Sequence, residues 1–292
     1  MQTSSNTTVN AEDSVYQSIF NSCSITKSVA VALAFLVSGC WAPAIKPPVS
    51  EINKLNTILV VPVESPPLEI IPDPLEERIP VYRHYRNMSI DFSLPKKLYS
   101  TSGGVIIAGL VSEGDDDRDL TIQDEQTSPT LAIAAGSEQP WTPTLVLAQQ
   151  AATQLTENNI KVILNRYYYR LPMADAARNA QLAHWHDAIS EWYGQNATAV
   201  DYQRYAGIDA VLELGLGNYR IFEGQTSLQV LMKLIDPHTR QVIARTRAET
   251  FTVEWAGQAA LNRDSEPFKR LVSKMSSHLV TQGLNDIGWR LQ

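Results

Sequence analysis

Cysteine and histidine are the side chains best suited to chemistry at neutral pH, and this chain has few of either. There are two cysteines, Cys23 and Cys40, and five histidines, at 84, 184, 186, 238 and 278. His184 and His186 flank Trp185 in a helical pattern. Side chains two apart on a helix point to opposite sides, whereas i, i+4 pairs share a face, so these two imidazoles cannot hold one ion and read as surface or boundary residues. Residues 113–119 (EGDDDRD) resemble part of a calcium loop only in composition, lacking the glycine and distal-glutamate spacing of an EF-hand, and read as a solvated turn. Gly215-Leu216-Gly217 lacks the third glycine and the following helix of a dinucleotide loop. Tyr167, Tyr168 and Tyr169 could stack a ligand ring, but alternation in and out of a sheet is the more common explanation. No Gly-x-Ser-x-Gly elbow, phosphate loop, His-Glu-x-x-His helix or spaced carboxylate pair occurs. Triads assemble from distant positions, so this weakens the case for an enzyme without closing it. Neither a cofactor nor a metal is expected. What remains is Cys40.

Cys40 ends residues 25–40, ITKSVAVALAFLVSGC. Lys27 precedes a short apolar core at residues 29–37, then Ser38, Gly39 and the cysteine. A positive charge, an apolar core of roughly 7–15 residues and small residues, in that order, form a secretory signal. The core is shorter than the ~20 residues that span a bilayer. Residues 37–40 resemble a lipobox, the processing site of bacterial lipoproteins. That resemblance implies cleavage between Gly39 and Cys40 and acylation of Cys40 as the mature N-terminus. A plain secretory signal and an uncleaved anchor are the alternatives. The polar stretch before the core is long and carries Glu12 and Asp13, which suggests an unusual leader or a different start. Residue 41 is Trp, not Asp; in the lipoproteins that this segment resembles, Asp there goes with inner-membrane retention, so the resemblance implies the outer membrane.

Removing 39 of the 292 residues leaves a chain of 253, in which 44% apolar and 19% charged residues overall describe an ordinary globular composition. Without Lys27, Glu12 and Asp13 the 24 basic and 31 acidic side chains become 23 and 29. A net negative chain is a poor general binder of nucleic acid, because phosphate contacts need positive charge. Membrane attachment would rest on the acyl chains, each buried methylene contributing ~0.8 kcal/mol. With Cys23 in the leader and Cys40 acylated, no thiol is left for a disulfide, a cysteine zinc site or a catalytic nucleophile.

The elements that follow predict an α+β domain of α/β-sandwich type: a mixed sheet, with a C-terminal three-stranded antiparallel meander, packed by three to four helices. Residues 40–54 are expected to be the lipidated cysteine and a Pro-rich, non-helical tether holding the domain off the membrane. Residues 55–292 are expected to form one domain with a large insertion at 64–141. The continuous apolar run at 55–63 suits a buried strand. Within the insertion, 80–92 and 103–111 read as strands. Thr142-Pro143 opens a helix that Asn158-Asn159 closes. A strand at 161–168 follows, then a helix at 174–193 with Leu182, Trp185, Ile189 and Trp192 as its stripe. A short helix at 198–206 precedes strands at 208–222, 226–236 and 242–253, and an amphipathic helix at 266–285 closes the chain.

Three pieces of this order resemble the periplasmic lipoprotein domains related to the N-terminal domain of TolB and to CsgG. TILVVPVE at 57–64 matches their opening strand. YAGIDAVLELGLG at 205–217 matches their step from helix to strand, and LMKLIDPHTRQVIARTR at 231–247 their hairpin, with Arg240 where a glycine is frequent. The resemblance covers roughly residues 55–64 and 143–285 and brings no pore-forming hairpin. With no catalytic motif in the chain, binding and assembly are expected rather than catalysis. The expected function is that of a periplasm-facing, outer-membrane lipoprotein serving as a binding, assembly or transport-accessory module, held to the membrane through Cys40 and engaging envelope proteins. The alternatives are an auxiliary lipoprotein of an ABC-type envelope transporter and, in a different class, a periplasmic hydrolase.

Overall fold

The computed structural model describes residues 42–71, 105–107, 130–133, 141–174, 182–222, 224–252 and 266–289. Two compact units divide the chain, Met1–Trp41 and Ala42–Gln292. Gly39, Cys40 and the whole leader lie outside the described residues, as do the strand expected at 80–92 and the acidic turn at 113–119.

In chain order the second unit contains α1 (Val49–Ile52), β1 (Thr57–Pro62), β2 (Leu68–Ile71), β3 (Val105–Ile107), β4 (Thr130–Ile133), α2 (Pro143–Glu157), β5 (Lys161–Leu164), β6 (Tyr167–Arg170), α3 (Leu182–Gly194), β7 (Ala210–Phe222), β8 (Gln225–Ile235), β9 (Val242–Thr252) and α4 (Glu266–Ile287). Seven strands form one mixed sheet; β4 and β6 pair antiparallel in a second, two-stranded one. The architecture is the expected α+β class, with β7, β8 and β9 as its antiparallel meander.

The long β7 organises the sheet. Along one edge it pairs first with β1, from Ile58↔Ala210 to Pro62↔Leu214, and then with β2, from Glu69↔Arg220 to Ile71↔Phe222, both parallel. β5 extends β1 and β3 extends β2, again parallel. The 64–141 segment expected as an insertion therefore supplies β2 and β3 to the main sheet. Along its other edge β7 pairs with β8, with a register shift between Leu216 and Asn218 that leaves Gly217 as the extra residue of a bulge.

Strand alternation then sorts the faces. Ala210, Leu212, Leu214 and Leu216 on β7, with Val230, Met232 and Leu234 on β8, point to the face that α2 and α4 cover. The two helices present Leu147, Ala151 and Leu155, and Val272, Leu279 and Leu284, all buried. Each such valine, leucine or methionine side chain contributes about 1.5–3 kcal/mol by leaving water, and each alanine less. α2 starts as expected, Thr142 accepting the Leu145 N–H at 3.2 Å with Pro143 in the first turn. α3 lies on the opposite face, with Trp185, Ile189 and Trp192 buried along its stripe.

Four local expectations are corrected. The 161–168 strand is two strands, because Asn165 Oδ1 accepts the Tyr167 N–H at 3.2 Å and turns the chain between them. The helix expected from 174 does not start there, because Met173 and Ala174 are non-helical; among the described residues α3 runs Leu182–Gly194. Residues 198–206 are turns, not a helix; Thr198 and Asp201 bond the N–H groups of Val200 and Gln203, which competes with helical pairing. Finally, the tether contains a helical turn. Pro48 stands just ahead of α1, where its missing N–H costs nothing, and Ile52 is buried against the core.

Candidate functional site

Three charged residues meet on the α3 face of the meander. Glu213 on β7 is registered against Lys233 on β8, and Lys233 against Arg245 on β9. Each points away from the aliphatic core by strand alternation, and all three are buried. Lys233 Nζ lies 3.4 Å from Glu213 Oε2.

Each partner comes from an element packed on that face. Trp192 of α3 donates its indole N–H to Glu213 Oε2 at 2.8 Å, and Tyr202 in the turns after α3 donates its hydroxyl to Glu213 Oε1 at 2.7 Å. Lys233 donates to the Trp192 carbonyl at 2.8 Å and sits 4.5 Å from the Trp192 ring centre. Gly215 makes this possible. A Cβ there would lie 2.8 Å from the Trp192 ring and 3.4 Å from Val63 Cβ, so the bare backbone lets the indole settle over the sheet. The glycine pair that could not be a nucleotide loop is thus a seat for Trp192 and, at Gly217, a bulge.

Burial dominates the electrostatics. It pulls the Lys233 ammonium below its ordinary value against the opposing pull of Glu213. Burial, reinforced by Glu213, pushes the Tyr202 and Tyr169 hydroxyls up. Tyr193 is pushed to about 12 by burial, which outweighs Arg245 beside it. The Tyr169 hydroxyl has no hydrogen-bond partner among the described residues, and its ring packs 6.3 Å from that of Trp192. Such a row, with its carboxylate receiving two side-chain hydrogen bonds and an ammonium, fixes the register of three strands and the seat of α3. These groups bond to one another and to the elements packed on them, so the row is an organising centre of the fold.

Arg245, at the outer end of the row, reaches the N-terminal segment. Its Nε donates to the Pro43 carbonyl at 3.1 Å, Nη1 to the Tyr193 carbonyl at 2.7 Å and Nη2 to Asn196 Oδ1 at 3.3 Å. Its backbone forms an antiparallel bridge with Ile45, through hydrogen bonds of 2.9 and 3.0 Å. The segment behind Cys40 is therefore joined to the edge of the sheet.

A cleft of about 470 Å³ opens where α1, the end of α2 and the end of α4 meet. Its lining consists of Asn53, Asn56, Asn158 and Asn159 with Val49, Ile52, Leu55, Ile160 and Trp289. Among the described residues the lining is thus of amide and apolar groups, which offer hydrogen bonds and packing surface. Among the histidines, His184 is half-buried and His186 exposed on α3, His238 is exposed in the β8–β9 turn and His278 exposed on α4; His84 lies outside the described residues. Tyr167, Tyr168 and Tyr169 run from exposed through half-buried to buried along β6, a gradient and not the in-and-out alternation expected. Among the described residues, the large apolar side chains most open to solvent are Phe251, 66% exposed, and Phe222 and Val49, both 43%. Phe222 and Phe251 lie at the far end of the meander, about 20 Å along β9 from Arg245.

Sequence reasoning missed the charge row. Its signal was a single Glu in AVLELGLG and a single Lys in VLMKLI, each a lone charge in an apolar strand, which needs a buried partner.

No protein-family model matches the chain, and no curated protein sequence matches it. Among solved structures, it is similar to PelC of Paraburkholderia phytofirmans, crystallised as a dodecamer, with 11% identity over 80% of this chain and 89% of that one at a TM-score of 0.31. A hypothetical protein of Chlamydia trachomatis shows 11% identity over 53% and 88% at 0.30. A lipoprotein of Neisseria meningitidis shows 15% identity over 78% and 98% at 0.21. The neighbours thus include bacterial lipoproteins, in superpositions too loose to carry any residue's role across.

Proposed function

We propose that this chain is an envelope lipoprotein, acylated at Cys40 and held at the outer membrane, whose domain binds another envelope protein and performs no catalysis. The observation that carries this reading is the order of Lys27, the apolar core at 29–37, Ser38, Gly39 and Cys40, followed at once by a folded unit that begins at Ala42. Cleavage at Gly39–Cys40 would release that unit whole. Two further features support a binding module. The charged groups buried together, Glu213, Lys233 and Arg245, are engaged inside the fold. Among the described residues the cleft presents amides and apolar surface, the kind of lining that binds by hydrogen bonds and packing.

Anchoring gives the mechanism. A lipid confines the domain to one surface and raises the effective concentration of any partner on that surface. Phe222 and Phe251 mark the end of the meander where such a partner would dock, since aromatic side chains carry a large share of binding energy at protein interfaces.

Photo-crosslinking in living cells tests this reading. A crosslinking amino acid at Phe251 or Phe222 should give a discrete adduct with an envelope protein, while one at His278 on α4 should not. Equal, diffuse adducts at all three positions would contradict it.

A further inference from the structure

The segment behind the acylation site is built into the domain. Ile45 donates its N–H to the Arg245 carbonyl and accepts the Arg245 N–H, adding a short antiparallel rung to the outer edge of β9. The Arg245 guanidinium then reaches over the same segment to the Pro43 carbonyl, and its remaining bonds go to Tyr193 and Asn196 at the C-terminal end of α3. Arg245 is only 3% exposed. A guanidinium buried this far needs its donors filled, and Pro43 fills one of them. The N-terminal segment is thus part of what keeps a buried charge satisfied. Ala42 packs beside Gly194, so the segment leaves the domain at the junction of the β9 edge and the end of α3.

We infer that Arg245 clamps the mature N-terminus, so that the domain rides directly on the lipid headgroup layer with the flank made by the β9 edge and the end of α3 turned to it. The inference rests on acylation of Cys40 as proposed above. Chain length decides the matter. From Cys40 to Pro43 a fully extended chain spans about 11 Å, whereas an unclamped segment from Cys40 to the start of β1 at Thr57 would reach about 60 Å. The headgroup region is about 5–8 Å deep on each side of a bilayer. With the clamp closed, the exit point cannot rise above the headgroups by more than about the width of one helix. The partner is then a protein of the same membrane or one that comes to its surface.

The full-length chain carried in vesicles of phosphatidylcholine with a nitroxide on the headgroup tests this. A fluorophore on Ala197→Cys, next to Asn196, should be quenched about threefold more strongly than one on His278→Cys, given the difference in reach. Twelve Gly/Ser residues inserted between Trp41 and Ala42 should abolish the difference while leaving the fold and clamp intact. Equal quenching at the two positions in the uninserted chain would overturn the inference. The clamp is also measured without a membrane: in a chain begun at residue 40, without the leader and with Cys40→Ser, the Ile45 amide should exchange with solvent about 100-fold more slowly than that of Lys46. Equal exchange would show that there is no clamp, whatever Cys40 carries. A slow Ile45 amide in a chain that never enters vesicles would instead refute acylation, and the membrane placement with it.

Discussion

Glu213 accepts from Trp192 and Tyr202 and lies against Lys233, and each partner comes from a different element. Removing one partner of a buried charge leaves that charge short of compensation, which costs more than an isolated hydrogen bond contributes. Tyr202→Phe is therefore expected to lower stability by about 1.5–3 kcal/mol, because the lost bond is to a carboxylate. Tyr169→Phe is the contrast. Its hydroxyl is buried without a partner among the described residues, so its removal should be neutral or stabilising within about 1 kcal/mol. Urea unfolding of the two variants separates them. Equal losses would mean that Tyr202 supports the fold by packing alone.

At the scale of elements, the fit of α3 on the meander depends on one missing side chain. Gly215→Ala would put a methyl 2.8 Å from the Trp192 ring, which is held from behind by Glu213 and Lys233 and cannot swing away cheaply. The expected loss is about 1–3 kcal/mol, accompanied by a change in tryptophan fluorescence as the indole leaves its carboxylate. A silent substitution would show that Trp192 has room to move. Elements whose signals are local were legible from sequence: the capped, proline-opened α2, the amphipathic α4, and the three apolar strands whose turn at 236–241 joins β8 to β9. Those decided by distant partners were not. Asn165 splits a continuous β pattern through its own side chain. Thr198 and Asp201 divert a helical pattern into turns, while Tyr202 is drawn inward to Glu213. Pro43 and Ile45 look like linker until Arg245, some 200 positions away, is placed beside them. β2 and β3 pair in parallel across long intervals of sequence, which no local pattern announces.

For the molecule as a whole, the buried tyrosines set the alkaline limit of stability. Burial pushes the hydroxyls of Tyr169, Tyr202 and Tyr219 up and that of Tyr193 to about 12. A phenol that ionises near 10 when unfolded but resists ionisation when folded binds more protons in the native state above that pH. Stability should thus be full below pH ~10 and fall above it, by up to about 1.4 kcal/mol per pH unit for each such tyrosine until its folded value is reached. Absorbance titration should show these four ionising only together with the loss of circular dichroism; early ionisation of all the tyrosines in a folded chain would contradict it. The same molecule carries the envelope reading. A chain of net charge −7 gains little attraction to lipid from its charge, so the proposed membrane attachment depends on acylation, and everything proposed about its partner and its closeness to the membrane follows from Cys40. The most direct measurement is therefore fractionation of cells expressing the wild-type and Cys40→Ser chains at equal levels, with labelled palmitate and intact-mass analysis of the product. Wild type should sediment with membranes as a labelled chain starting at residue 40, and Cys40→Ser should be unlabelled and uncleaved at that position. A Cys40→Ser chain with the same label, mass shift and sedimentation as wild type would contradict the account.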